Sequence, residues 1–92
     1  MFQFSTPYPN PFYSSITLTL NIPFDDFINV YVINDECDSI KTIINEQMSA
    51  GSYNITWDGM NDNNEILDDG YYRIIASDGV IEQYRNVKKE SN

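Results

Sequence analysis

The residues with the most chemical potential lie between Trp57 and Ile74, in the run W-D-G-M-N-D-N-N-E-I-L-D-D-G-Y-Y-R-I. Asp58, Asp62, Asn64 and Asp68 offer the hard oxygen donors that calcium takes. The twelve-residue helix-loop-helix calcium template does not fit them. Counted from Asp58, it puts Met60 at the third position, Asn63 where glycine is needed, and Asp69 in place of the closing glutamate. What survives is an irregular site made of those four residues. Against it stands the favoured reading, in which Asp and Asn bond their own backbone and make turns; on that reading no cofactor is expected. The adjacent acids Asp25/Asp26 and Asp68/Asp69 do not suit glycoside hydrolysis, which needs two carboxyls facing across a cleft at a set separation. The chain has no histidine, so its serines lack their usual activating base and the commonest metal ligand is missing. No G-x-S-x-G elbow, phosphate loop or dinucleotide fingerprint occurs. The single cysteine, Cys37, excludes an internal disulfide, and in N-D-E-C-D-S it sits beside acids that disfavour the thiolate. Trp57 and the seven tyrosines suit a sugar-stacking platform only if exposed, yet Tyr53, Trp57 and Tyr72 fall on inward positions of their strands. These residues predict a protein that is not an enzyme.

The elements that would hold them are strands. Ile16, Leu18, Leu20 and Ile22 alternate with Ser15, Thr17, Thr19 and Asn21, a two-residue period that sets one face inward. After a turn at Pro23-Phe24-Asp25-Asp26, Phe27 to Asn34 repeats the pattern with Ile28, Val30 and Val32 inward. A second turn, Asn34 to Asp38, leads to Ser39–Asn45, where adjacent Ile43 and Ile44 cannot both point into a regular sheet. Glu46 to Gly51 reads as a loop, followed by the strand ending at Trp57. Residues 58–69 read as an ordered, turn-rich connection. Tyr71–Ala76 and Val80–Val87 then form a last pair joined by Ser77-Asp78-Gly79, and Asp-Gly between alternating runs is a hairpin signal. With a short strand near Phe2–Phe4 this makes about seven strands at roughly ten-residue spacing, which predicts an all-β, immunoglobulin-like antiparallel sandwich. The spacing Asp68-x-Gly70-x-Tyr72-x-Ile74 sharpens that reading. Such sandwiches place a corner tyrosine two residues before a buried position, here Tyr72 before Ile74.

One domain, residues 1–92, is expected. At this length a fold buries only about 60–65% of its unfolded surface, so aromatic side chains must supply much of the core. Residues 1–13 form a lead-in stiffened by Pro7, Pro9 and Pro11, expected to be an extended or polyproline-like edge piece with Tyr8 and Phe12 tucked in as anchors. Residues 88–92 are expected to fray. A net charge of −9 with five basic residues would be repelled by phosphate backbones and anionic membranes, so neither nucleic acid nor membrane insertion is expected. No apolar run is long enough to span a bilayer, and residues 1–6 have neither the basic start nor the apolar core of a signal peptide.

Four motifs stand in a fixed order: Tyr8-Pro9-Asn10-Pro11-Phe12 before the Ile16-Thr17-Leu18 strand, Ala50-Gly51-Ser52-Tyr53, Trp57-Asp58-Gly59, and Asp69-Gly70-Tyr71-Tyr72-Arg73. From Phe4 to Lys89 the chain resembles the C-terminal sorting domains of proteins exported by the type IX (Por) secretion system of Bacteroidetes-like bacteria. It is similar also to the related Ig-like domain of the flagellar hook-cap protein. The resemblance implies a domain at the end of a longer secreted protein, read by an outer-membrane translocon and removed from its upstream cargo by a sorting peptidase. The cargo would pass through the periplasm to the cell surface or be released. The signature residues implied are Pro9, Asn10, Pro11, Phe12, Gly51, Trp57, Asp58, Gly59, Gly70, Tyr72, Lys88 and Lys89. The polar end Glu90-Ser91-Asn92 departs from the short basic and apolar finish common in the group, and neither cargo nor signal peptide is expected within this chain. The alternative implied is a structural module of an extracellular or hook-cap-like assembly, its exposed edge strands adding to a neighbour's sheet.

Overall fold

The alternation written into the chain folds it into two antiparallel sheets, as seen in a computed structural model that describes residues 2–91. The strands are β1 (Gln3–Phe4), β2 (Ile16–Ile22), β3 (Asp26–Ile33), β4 (Ser39–Met48), β5 (Gly51–Trp57), β6 (Gly70–Ser77) and β7 (Glu82–Lys89). One sheet has the order β1-β2-β5 and the other β4-β3-β6-β7. The inward rows meet between them. Ile16, Leu18, Leu20, Ile22, Ile55 and Trp57 come from the first sheet, and Ile28, Val30, Val32, Ile74, Ala76 and Val87 from the second. Each is buried because a pleated strand sends alternate side chains to one face. The fold is therefore an all-β, immunoglobulin-like sandwich of seven strands.

Three local expectations are corrected. Ile43 and Ile44 both pack against the core, because β4 slips register opposite Val30/Tyr31 and again opposite Val32/Ile33. Each slip inserts an extra residue, which turns adjacent side chains to the same side. The loop expected at Glu46–Gly51 is shorter: β4 runs on to Met48, whose buried side chain extends the pairing and leaves Ser49 and Ala50 as the connection. The last hairpin closes with Asp78–Ile81 rather than three residues, so β7 starts at Glu82. Asp78 holds that loop by accepting hydrogen bonds from the Val80 and Ile81 amides at 2.9 and 2.8 Å.

The chain ends supply the largest departures. The lead-in is extended only as far as Tyr8, where it borders β2 through Ser5 and Tyr8 amide bonds to the Thr19 and Thr17 carbonyls. It then bends through Pro9, Asn10 and Pro11 and crosses to the other sheet. Phe12 is buried as expected, but Tyr8 is 60% exposed and anchors nothing. Nor does the tail fray at Lys88–Ser91. Lys88 and Lys89 belong to β7, the Glu90 amide bonds the Phe12 carbonyl, and Ser91 bonds Asp69. The expectation for Asn92 lies outside the described residues. A chain ending at Val87 loses these bonds and the buried Lys89 stem. Its urea midpoint is expected to fall by the equivalent of at least about 2 kcal/mol, whereas a frayed tail would leave the midpoint unchanged.

Candidate functional site

Trp57 ends β5 facing the core, and its indole is closed in on two sides by rings. Phe12 lies 5.4 Å away at 55° and Tyr72 lies 5.4 Å away at 70°. Tilted and edge-on pairs at such spacing gain about 0.5–1.5 kcal/mol beyond the area they bury. The indole N–H donates to the Met60 carbonyl at 2.9 Å, so no polar group of the ring is left unpaired. Tyr72 is half-buried, and its hydroxyl donates to the Asp68 carbonyl at 2.6 Å, the corner its spacing predicts. Burial first, then the charges of Asp68, Asp35 and Asp69, push its phenol above the ordinary range and keep it a donor. Tyr53 repeats this device on the three-stranded sheet, donating to the Ser49 carbonyl at 2.6 Å.

Around this aromatic plug the remaining signature residues form a clasp on β7. The Asn10 amide donates to the Asn86 carbonyl at 3.1 Å, and its oxygen accepts from the Lys88 amide at 3.0 Å. The Phe12 amide then bonds the Lys88 carbonyl, and the Phe12 carbonyl accepts from Glu90. Pro9 and Pro11 flank Asn10 in the bend that aims it. Lys89 is only 6% exposed: its stem runs beneath Gly59, and its ammonium reaches out to Asp69 at 3.8 Å. Gly59 has φ +74°, and a Cβ there would stand 3.0 Å from Lys89 Cε and 3.4 Å from Phe12 Cε2. The conformation favours glycine, and a side chain would also have to push the Lys89 stem aside by a few tenths of an ångström. Asp58 accepts from the Met60 amide, while Gly51 and Gly70 open β5 and β6 opposite Ile22 and Lys89.

The calcium candidates each have a separate place in the structure. Asp58 turns the chain, Asp62 accepts the Thr42 amide of β4 at 3.1 Å, Asn64 holds a left-handed turn at φ 61°, and Asp68 offers its carbonyl to Tyr72. Among the described residues no three acids, histidines or cysteines gather in a metal-binding group. Cys37 is exposed at φ 65° in the Asn34–Asp38 turn, which is organised by the Asn34 side chain. Sequence reasoning missed the buried role of Lys89 and the Arg85 bond to the Phe4 carbonyl. Carrying the two-residue period outward from the core residue Val87 would have found both.

Fold and clasp together define an immunoglobulin-like sandwich whose two ends are tied to one another. A family model, the FlgD Ig-like domain, matches residues 12–79, more than half of the chain, and the chain belongs to that family. The structure of FlgD from P. aeruginosa shares the fold with a TM-score of 0.61 at 24% identity, over 80% of this chain and 57% of that one. Dimeric latent PorU from Porphyromonas gingivalis aligns over 100% of this chain and 10% of its own, with a TM-score of 0.71 at 12% identity. The chain thus spans 57% and 10% of the lengths of these two proteins. No curated protein matches significantly.

Two predictions follow from the clasp's geometry. Gly59→Ala is expected to destabilise the domain by about 1–3 kcal/mol. Gly79→Ala, at φ +93° with no atom within 4 Å, meets backbone strain alone and is expected to cost less. Paired urea titrations measure the difference. The second concerns acid. Asp69 is held below its ordinary 3.8, chiefly by the Ser91 hydroxyl, with burial opposing and the Ser91 amide and Lys89 assisting. Asp78 is lowered by the Ile81 and Val80 amides. Groups lowered in this way stabilise the fold above the ordinary carboxylate range, and the contribution goes as pH falls through the folded values. Stability is therefore expected to climb with pH through the region around and below about pH 4, and Asp69→Asn to flatten that limb in acid denaturation curves.

Proposed function

We propose that the domain is a non-catalytic recognition module, a folded C-terminal label that directs a secreted protein through an outer-membrane secretion system. The observation that carries this reading is the surface of the β6–β7 hairpin. In a chain of net charge −9 with five basic residues, two of them, Arg73 and Lys88, stand on the outer face of these two strands. Beside them stand Tyr71 and Tyr84, 66% and 52% exposed. The Arg73 guanidinium lies 4.3 Å from the Tyr84 ring centre and the Lys88 ammonium 5.5 Å from that of Tyr71. Pre-stacked tyrosine and arginine lose little freedom on binding and are the residue types that dominate protein interfaces. The clasp holds this hairpin in place from the lead-in side, which suits a label that must be read as a shape.

The partners proposed are the outer-membrane translocon and a sorting peptidase, with a cargo domain upstream and a destination at the bacterial surface or outside the cell. The resemblance of the Y-P-N-P-F, W-D-G and G-Y-Y motifs to sorting domains supports this, as does a likeness to PorU, which bears the Por system's name, along the whole chain. The FlgD family match favours a second reading, a structural module of a hook-cap-like assembly.

The test is to fuse residues 1–92 behind a signal peptide and a reporter in a host that has the translocon. Surface display or release is expected. The double change Arg73→Ala with Tyr84→Ala is expected to cut it roughly ten-fold, while Thr19→Ala on the opposite sheet leaves it unchanged. A wild-type fusion that stays in the periplasm sinks the label and leaves the structural module.

A further inference from the structure

A sandwich has two open sides, and here they are treated differently. On one side the edges of β1 and β7 are closed by the chain itself. Gln83 and Arg85 bond the Phe2 and Phe4 carbonyls, and Asn10 and Phe12 occupy the last residues of β7. On the other side lie the edges of β4 and β5. The β4 edge is broken twice by register slips. It also sets Lys41 and Glu46 opposite the core residues Val32 and Ile28, so charges sit in its inward row. Slips and inward charges are what proteins use to stop a strand from recruiting another.

The β5 edge has none of these devices. It pairs with β2 in unbroken register for seven residues, Gly51 to Trp57, and G-S-Y-N-I-T-W contains no charge and no proline. Its solvent row is Ser52, Asn54 and Thr56, all exposed, and the neighbouring row on β2 is Thr17, Thr19 and Asn21. In a chain of net charge −9 this is a place where a like-charged body can approach without opposing charge.

We propose that β5 is the pairing edge for a second copy of this chain, joining the two three-stranded sheets across a two-fold axis at Asn54. Antiparallel pairing about that axis is self-consistent. Ser52 faces Thr56, Asn54 faces its own copy, and the inward-facing Tyr53 meets Ile55, an aromatic with β-branched pair of the favourable kind. The polar row stays on the solvent face throughout, as a period of two requires. Among the described residues no other strand edge offers seven uncharged residues to its own image. The ends of the pairing bring Asp58 of one copy toward the Ala50 amide that Asp25 holds in the other, so added salt strengthens association. The pairing is compatible with either role proposed above and depends on neither.

The test is sedimentation of the 92-residue chain carrying Cys37→Ser, which removes the exposed thiol as a source of covalent dimers. A reversible monomer–dimer equilibrium is expected, tightening as salt is raised. Asn54→Lys, which sets two ammonium groups against each other on the axis, is expected to weaken it roughly ten-fold or more. Asn45→Lys on the β4 edge leaves it unchanged. Circular dichroism checks that each variant is folded. If the lysine variant does not fold, Asn54→Cys in the same background is expected to form a disulfide dimer on mild oxidation, and Asn45→Cys is not. A chain that stays monomeric at every concentration and salt, or a dimer indifferent to Asn54→Lys, overturns the proposal.

Discussion

Everything in this domain depends on one indole being held dry. Trp57 comes from the three-stranded sheet, Tyr72 from the four-stranded sheet, and Phe12 from the segment that passes between them. A chain of 92 residues has little interior to spare, so removing one large ring leaves a cavity that neighbouring strands cannot fill. The plug therefore fixes the spacing of the sheets at the end of the molecule where they would otherwise open. The polar bonds around it serve that burial: the Met60 carbonyl satisfies the indole N–H, and the Asp68 carbonyl satisfies the Tyr72 hydroxyl.

That constraint explains why residues far apart in the chain form a single motif. Phe12 reaches Trp57 only if the lead-in crosses from one sheet to the other, and Asn10 secures the crossing by bonding β7 at two points. Lys89 passes through the same packed region, which crowds any side chain at position 59. Stability and surface are coupled here. The residues that hold β7 in place also set how its outer face, with Arg73 stacked on Tyr84, is presented. A module recognised by shape gains from such coupling, since a hairpin that sampled other positions would be read less well.

The two outer faces divide the remaining properties between them. The three-stranded sheet shows small uncharged polar groups that bond one another across strands, as Thr17 does with Thr56 and Thr19 with Asn54. The four-stranded sheet shows aromatic rings with basic groups set over them, Arg73 on Tyr84 and Lys88 on Tyr71. One face is thus small, polar and uncharged, and the other presents stacked aromatic and basic groups. Such asymmetry suits a domain that meets different neighbours on its two sides.

The two-residue period of the sequence determined the strands, the inward rows and the corner at Tyr72, because alternation and turn chemistry are local and survive any arrangement of the sheets. Tertiary structure alone decided the rest. Ile43 and Ile44 share the core because β4 slips against β3, and register is a relation between strands. Lys88–Ser91 are ordered because Phe12 and Asp69 lie beside them, residues distant in sequence and adjacent only after the lead-in has crossed. Tyr8 and Phe12, four positions apart with similar hydrophobicity, part company because the bend between them turns one to solvent and the other onto Trp57.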